Sequence, residues 1–255
     1  MIKHVQVEKE SWKESYFDYL TKRLDSGESN NIAVSKTIEI LKAKLANQER
    51  VKILDIGCFS GAMLNRILNG LSEDEKSRVN SVGFDFDIEV MQRGADKYKD
   101  IVFICGQIEE SFPFIGQFDV VLLSNVLHEI SPTKSISNRK NKIKQVFANI
   151  VDLLAKSGNV IILDGCKPDK NNKVIVNFTD DKDTKLFTEF SQKYKALKIK
   201  CNVLDGEITT DEISLTAFLT KARYMDKEYW ESESKQLYQY FNENDFLEMF
   251  KENNL

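Results

Sequence analysis

Of the 255 residues, 11 are glycine and 3 are proline, about 5% of the chain against roughly 12% in average usage, which excludes collagen-like and Pro/Gly-rich disordered classes. With 42% hydrophobic residues the chain can bury a core, as one large domain or as a domain with an insertion. The 36 basic and 40 acidic residues leave a net charge of −4, which argues against non-specific coating of nucleic acid but leaves local basic patches open.

Residues 1–50 read as a helical cover. Glu8 to Leu24 carries Trp12, Tyr16, Tyr19 and Leu20 at helical spacing, a polar loop follows, and Val34, Ile38, Leu41 and Leu45 mark a second helix. The period changes at Val51. Short apolar runs at 51–56, 79–84, 101–105, 118–123 and 159–163 alternate with helical patterns at 61–68, 88–98 and 139–155. Such alternation predicts an α/β, Rossmann-like fold, a mostly parallel sheet with helices on both faces, over 51–168. Residues 169–255 are expected to be mainly helical, with helices over 184–197, 213–224, 228–241 and 244–251 and one optional strand at 199–204. They read as a lid-like insertion followed by a last core helix. In that reading the closing strands of the sheet are expected outside this chain, on a partner chain or domain; the alternative is that 199–204 and its neighbours supply them.

Cys58, Cys105, Cys166 and Cys201 stand far apart with no CxxC pair, so neither a metal site nor a disulfide framework is expected. Three of them follow or end apolar runs, where a buried thiol is the ordinary occupant. The polar start, Met1 to Glu10, is no signal peptide, and no apolar run approaches the roughly 18 residues of a membrane span. These features read as a soluble cytoplasmic protein without membrane contact.

Nine of the 11 glycines lie between Gly57 and Gly165. The central clue is VKILDIGCFSGA, residues 51–62: an apolar strand runs into a turn with Gly57 and Gly61, and a helix follows. Glycine there permits a sharp turn and close backbone approach to a ligand, and the helix start offers free N–H groups. Asp85 stands at the end of the next strand, where a carboxylate can accept both hydroxyls of a ribose. An incomplete glycine pattern, with Phe59 and Ser60 in the turn, counts against a nicotinamide dinucleotide.

Taken in order, five segments resemble the class I S-adenosylmethionine-dependent methyltransferases. They are LDIGCFSG (54–61), GFD (83–85), IVFICGQIE (101–109) with FPF (112–114), FDVVLLSNVLHEI (118–130) and LLAKSGNVIILD (153–164). The resemblance implies S-adenosylmethionine as cofactor, bound by Asp55, Gly57, Cys58, Phe59 and Gly61 at the methionine part. It further implies Asp85 at the ribose hydroxyls, Phe86 on the adenine, Gln107 and Ile108 at the adenine edge, and Ser124 and Asn125 beside the methyl channel. Two positions depart from the family pattern: Phe59 replaces a glycine, and Gln107 stands where an aspartate is common.

Methyl transfer from a sulfonium needs alignment above all, and a base only for a protonated acceptor. His128, with Glu129 beside it, is the candidate base because it follows the fourth strand at the ligand-binding edge; packing in that loop is the competing explanation. His4 reads as a surface residue. Asp164, Tyr224 and Trp230 are candidate acceptor contacts. A small-molecule acceptor is expected, since the Asn/Asp-Pro-Pro-Tyr and Pro-Cys signatures of several macromolecular classes are missing after the fourth strand. The acid-free stretch 133–145, with Lys134, Arg139, Lys140, Lys142 and Lys144, keeps an RNA target open, although a solvated face explains it as well. A catalytically silent binding module with the same fold is the remaining alternative.

Overall fold

The structure, a computed structural model, describes Tyr19 and residues 30–108, 117–130, 136–204, 206–238 and 241–255, the side chains of Ile136, Ser137 and Arg139 excepted. The expected first helix, His4, residues 109–116, Lys134, the Arg139 side chain and Tyr240 lie outside that set. The elements in chain order are α1 (Asn31–Leu45), β1 (Val51–Ile56), α2 (Ala62–Asn69), α3 (Glu73–Ser77), β2 (Val79–Asp85), α4 (Ile88–Lys97), β3 (Ile101–Cys105), β4 (Phe118–Ser124), α5 (Ile136–Val151) and β5 (Leu154–Leu163). After them come β6 (Lys173–Val176), α6 (Asp181–Lys193), β7 (Cys201–Leu204), β8 (Glu207–Asp211), α7 (Glu212–Lys221), α8 (Trp230–Glu233) and α9 (Glu243–Glu252).

Strands β1 to β5 form one parallel sheet in the order β3-β2-β1-β4-β5. Both faces are covered, which is why the strands read as nearly unbroken apolar runs. Val51, Ile53, Val120 and Leu122 face α1 and α2, whereas Leu54, Ile56, Val121 and Leu123 face Ile143, Val146 and Ile150 of α5. Capping residues set two helix starts: Asp87 accepts from Glu89 and Val90 at the head of α4, and Asn242 makes a capping box with Asp245 at α9. Chain order reverses between β1 and β4, so a crevice opens at the carboxyl ends of these two strands, where ligands of open α/β sheets bind.

The segment after β5 differs from the expectation of a mainly helical tail. Strands β6, β8 and β7 form their own antiparallel sheet, so residues 199–204 do not join the main sheet. Among the described residues the outer edge of β5 has no strand neighbour. This insertion has a separate core of Phe187, Phe190, Tyr194, Ile199, Ile208 and Phe218. The expected helix over 228–241 shrinks to the one turn of α8. Its carbonyls are diverted: Ser234 O accepts from the Lys195 and Ala196 amides, and Gln236 O from the Tyr194 hydroxyl. The cysteine expectation also changes, since only Cys58 is buried and Cys105, Cys166 and Cys201 are exposed. Among the described residues no helix is long and apolar enough to cross a membrane, and no His/Cys/Asp/Glu group is arranged to hold a metal ion.

Candidate active site

A cavity of about 760 Å³ occupies the crevice at the carboxyl edge of the sheet, within the usual size range of small-molecule sites. Its floor is the turn after β1. Gly57 sits at φ 73°, and a Cβ there would lie 2.6 Å from the Val126 side chain, so only glycine lets the loop after β4 close onto the turn. The Gly57 and Cys58 amides both donate to Phe84 O at the end of β2, at 2.8 and 3.1 Å. Phe59 adopts a left-handed φ of 52°, a cost of roughly 1–2 kcal/mol for a side chain with Cβ. Its amide donates to Asp85 Oδ2 at 2.8 Å, which fixes the conformation that a glycine would take without strain. Gly61 caps α2 behind the cavity wall, its Cα backed by the Phe103 ring.

Asp85 is buried and accepts through its other oxygen from the Asp87 amide at 3.1 Å. A carboxylate offers about four lone-pair sites, so both oxygens keep capacity toward the cavity. Burial raises the pKa of Asp85 against the lowering effect of these amides. Asp55, 2% exposed, is raised further, by burial first and the Asp85 charge second. Two carboxylates held this way are short of positive charge, and a cationic ligand relieves both.

The Asp55 shift carries a stability prediction. Because its folded pKa lies above the unfolded value of 3.8, the folded state binds the proton more tightly, and stability falls as pH rises from 3.8 through the folded pKa. Asp55→Asn therefore raises the melting temperature of the ligand-free protein at neutral pH, and the gain vanishes in acid. Thermal melts across pH check this; a lower melting temperature at neutral pH refutes it.

The remaining cradle residues lie along the same cavity. Phe86 lines it yet is 62% exposed, an aromatic face open to a planar partner. Gln107, Ile108 and Ser124 line it too. Asn125, in a left-handed conformation at φ 57°, donates through its amide side chain to Asn30 Oδ1 at 3.0 Å. Asn30, the residue before α1, is a lining residue that sequence patterns did not single out.

At the other end of the cavity, His128 Nδ1 is 2.9 Å from Asp164 Oδ1. The loop after β4 carries the histidine and the end of β5 the aspartate, so parallel pairing of the two strands brings them together. Asp164 is tied down by the Gly165 amide at 2.7 Å and the His128 amide at 3.3 Å. A carboxylate only accepts, so in the neutral ring the proton sits on Nδ1 and the lone pair on Nε2. The Tyr238 ring packs against the imidazole, tilted by 59° with centroids 3.9 Å apart. Nε2 is 3.9 Å from Glu129 Oε1, beyond hydrogen-bond length. Glu129 is 43% exposed but open to the cavity, and dense protein around it raises its pKa through burial.

The insertion supplies the wall opposite the cradle with Thr216, Thr220, Arg223, Tyr224 and Tyr238. Of these, only Tyr224 is among the sequence candidates. Trp230 does not reach the cavity; it packs on Phe190, 6.0 Å between centroids, in the insertion core. Tyr19 stacks edge-on against Tyr224 at 6.2 Å, which places one N-terminal aromatic over this wall. Two lysines of the basic stretch are paired: Lys140 with Asp245 at 3.3 Å and Lys144 with Glu252 at 3.1 Å, both on α9.

Residues 54–160 match the family described as a methyltransferase domain. That segment of the chain is similar to the methyltransferase domains of S-adenosylmethionine-dependent enzymes. The matched range begins in β1, includes the glycine turn and ends in β5, and the donor that this family uses is S-adenosylmethionine. Solved methyltransferase-fold structures align at low identity. The sugar N-methyltransferase KedS8 of Streptoalloteichus is 11% identical, with a TM-score of 0.47 over 70% of this chain and 66% of that one. CalS10 of Micromonospora echinaspora, an amino pentose methyltransferase, is 15% identical, with a TM-score of 0.43 over 68% and 65%. DesVI of Streptomyces venezuelae is 12% identical, with a TM-score of 0.44 over 69% and 67%. The chain thus spans about two thirds of the length of each. No protein of curated function matches the sequence.

Proposed function

We propose that the chain transfers the methyl group of S-adenosylmethionine to a small-molecule hydroxyl or amine whose proton is taken by His128. The observation that carries this reading is one cavity that holds both the Gly57–Asp85 cradle and the His128–Asp164 pair. When bound, S-adenosylmethionine supplies an electrophilic methyl on a sulfonium, whose thioether leaves as a neutral group without protonation.

In this reading the Gly57 turn and Asp55 hold the amino-acid end, and Asp85 accepts from two vicinal hydroxyls. Phe86 packs on the adenine face, with Gln107 and Ile108 at its edge; the Gln107 amide oxygen accepts without a charge. Ser124 and Asn125 border the passage between cradle and dyad. Alignment of this kind is worth roughly 7–11 kcal/mol of barrier. As the acceptor forms its new bond to the methyl carbon, its proton passes to His128 Nε2, and Asp164 stabilises the resulting imidazolium. The insertion wall keeps water from the junction. Four free thiols suit a reducing, cytoplasmic setting.

Asp85→Ala removes two charge-assisted hydrogen bonds to the donor, each worth about 1.5–3 kcal/mol. It weakens S-adenosylmethionine binding by about 100-fold or more in equilibrium dialysis; less than about a threefold change takes Asp85 out of the donor site. The reaction itself is tested with methyl-labelled S-adenosylmethionine offered to fractionated small molecules and to RNA. Label in a small molecule supports the reading, and label in RNA alone overturns it.

A further inference from the structure

The cavity has a charge arrangement that the methyl-transfer chemistry does not require. Among the described lining residues Arg223 is the only lysine or arginine, against five acids, Asp55, Asp85, Asp87, Glu129 and Asp164. Among the described residues no carboxylate forms an ion pair with Arg223. Its guanidinium lies 4.9 Å from the centre of the Tyr224 ring. A guanidinium over a ring face keeps its N–H groups available to a ligand.

The neighbouring cation is committed elsewhere. Lys221 is fully buried, bonded to Glu233 and to Gln236 Oε1, and sits 4.0 Å over the Tyr238 ring. It belongs to the framework beneath the wall. Arg223 is an exposed residue of the short turn Ala222–Tyr224 that directly continues α7, so this framework fixes its backbone beside the cavity. Tyr224 and Tyr238, both on the cavity, provide flat walls beside it, and Ile130 and Leu163 add apolar surface.

We infer that Arg223 is the specificity-determining residue for the acceptor, and that the acceptor is a small molecule with a flat or apolar body bearing a carboxylate or phosphate. This inference rests on the methyl-transfer reading for the word acceptor, but the anion subsite itself does not. A guanidinium fork pairs with either oxyanion through two parallel hydrogen bonds. A neutral analogue of the same shape leaves that fork unpaired, so the site rejects it.

The probes are benzoate, phenyl phosphate and the neutral benzamide, titrated calorimetrically into the protein with and without S-adenosylhomocysteine. The wild type is expected to prefer at least one anion over benzamide by about tenfold or more. Which anion binds tighter distinguishes a carboxylate site from a phosphate site. Arg223→Gln removes the preference and Arg223→Lys keeps part of it, because an ammonium offers charge without the fork. S-adenosylmethionine affinity stays within about threefold in both variants. No anion preference in the wild type, or a preference kept in Arg223→Gln, overturns the inference. So does a large loss of S-adenosylmethionine affinity, which would assign the guanidinium to the carboxylate of the donor. Should Arg223→Gln fail to fold, an undiminished preference in Arg223→Lys has the same consequence. If the wild type ignores S-adenosylmethionine yet keeps the anion preference, the methyl-transfer reading fails and the anion site stands.

Discussion

His128→Ala lowers methyl transfer by about 100-fold or more, in the range of about 10²–10⁴ for a positioned general base, with S-adenosylmethionine affinity retained. The reason lies in the geometry: Asp164 accepts from Nδ1 at 2.9 Å, which leaves the Nε2 lone pair as the base. The cradle around Gly57 and Asp85 is built from other elements, so the two readouts separate. Asp164→Asn, which no longer enforces the tautomer or stabilises the imidazolium, is expected to lose a substantial part of the same rate. Single-turnover transfer to the acceptor found by methyl labelling, measured against pH, checks both. An unchanged rate in His128→Ala removes the histidine from the chemistry and returns it to a packing role against Tyr238.

Lys221→Met costs about 3–5 kcal/mol of stability, the range for breaking a buried ion pair by deleting one partner. Lys221 and Glu233 have side chains 0% and 4% exposed and bond to each other inside the insertion. Deleting the lysine leaves Glu233 with an uncompensated charge in the interior. The double variant Lys221→Met/Glu233→Leu is expected to recover most of the loss, because an apolar pair of similar volume avoids the desolvation cost altogether. Denaturant midpoints of the single and double variants form the test. A loss below about 1 kcal/mol in the single variant contradicts a buried, committed pair. The same lysine lies under Tyr238, which packs against His128, so the single variant also loosens the wall that the site depends on.

The α/β core was legible because its signals are local. Each strand is a short apolar run, and Gly57, Gly61 and Asp85 sit at strand ends where spacing alone reveals them. Pairing of His128 with Asp164 was half legible: both fall at strand ends, but only the β4–β5 register shows that they meet. The insertion hid more. Strands β6 and β8 carry mixed polar and β-branched residues, and their pairing spans residues 173–211, a separation that no periodicity records. Tyr229, Trp230 and Tyr238 are spaced as on a helix, yet carbonyls of that stretch accept from residues 194–196, just after α6. Arg223 escaped for another reason: a cation in an acidic tail reads as solvated until the cavity shows which way it faces.

The most direct test of the central claim is calorimetric titration of the wild-type chain with S-adenosylmethionine, with NAD as control. One-to-one binding of S-adenosylmethionine, lost in Asp85→Ala and kept in His128→Ala, with no heat from NAD, is the predicted result. A chain that stays silent at millimolar S-adenosylmethionine, or that binds it equally well without the Asp85 carboxylate, contradicts the account.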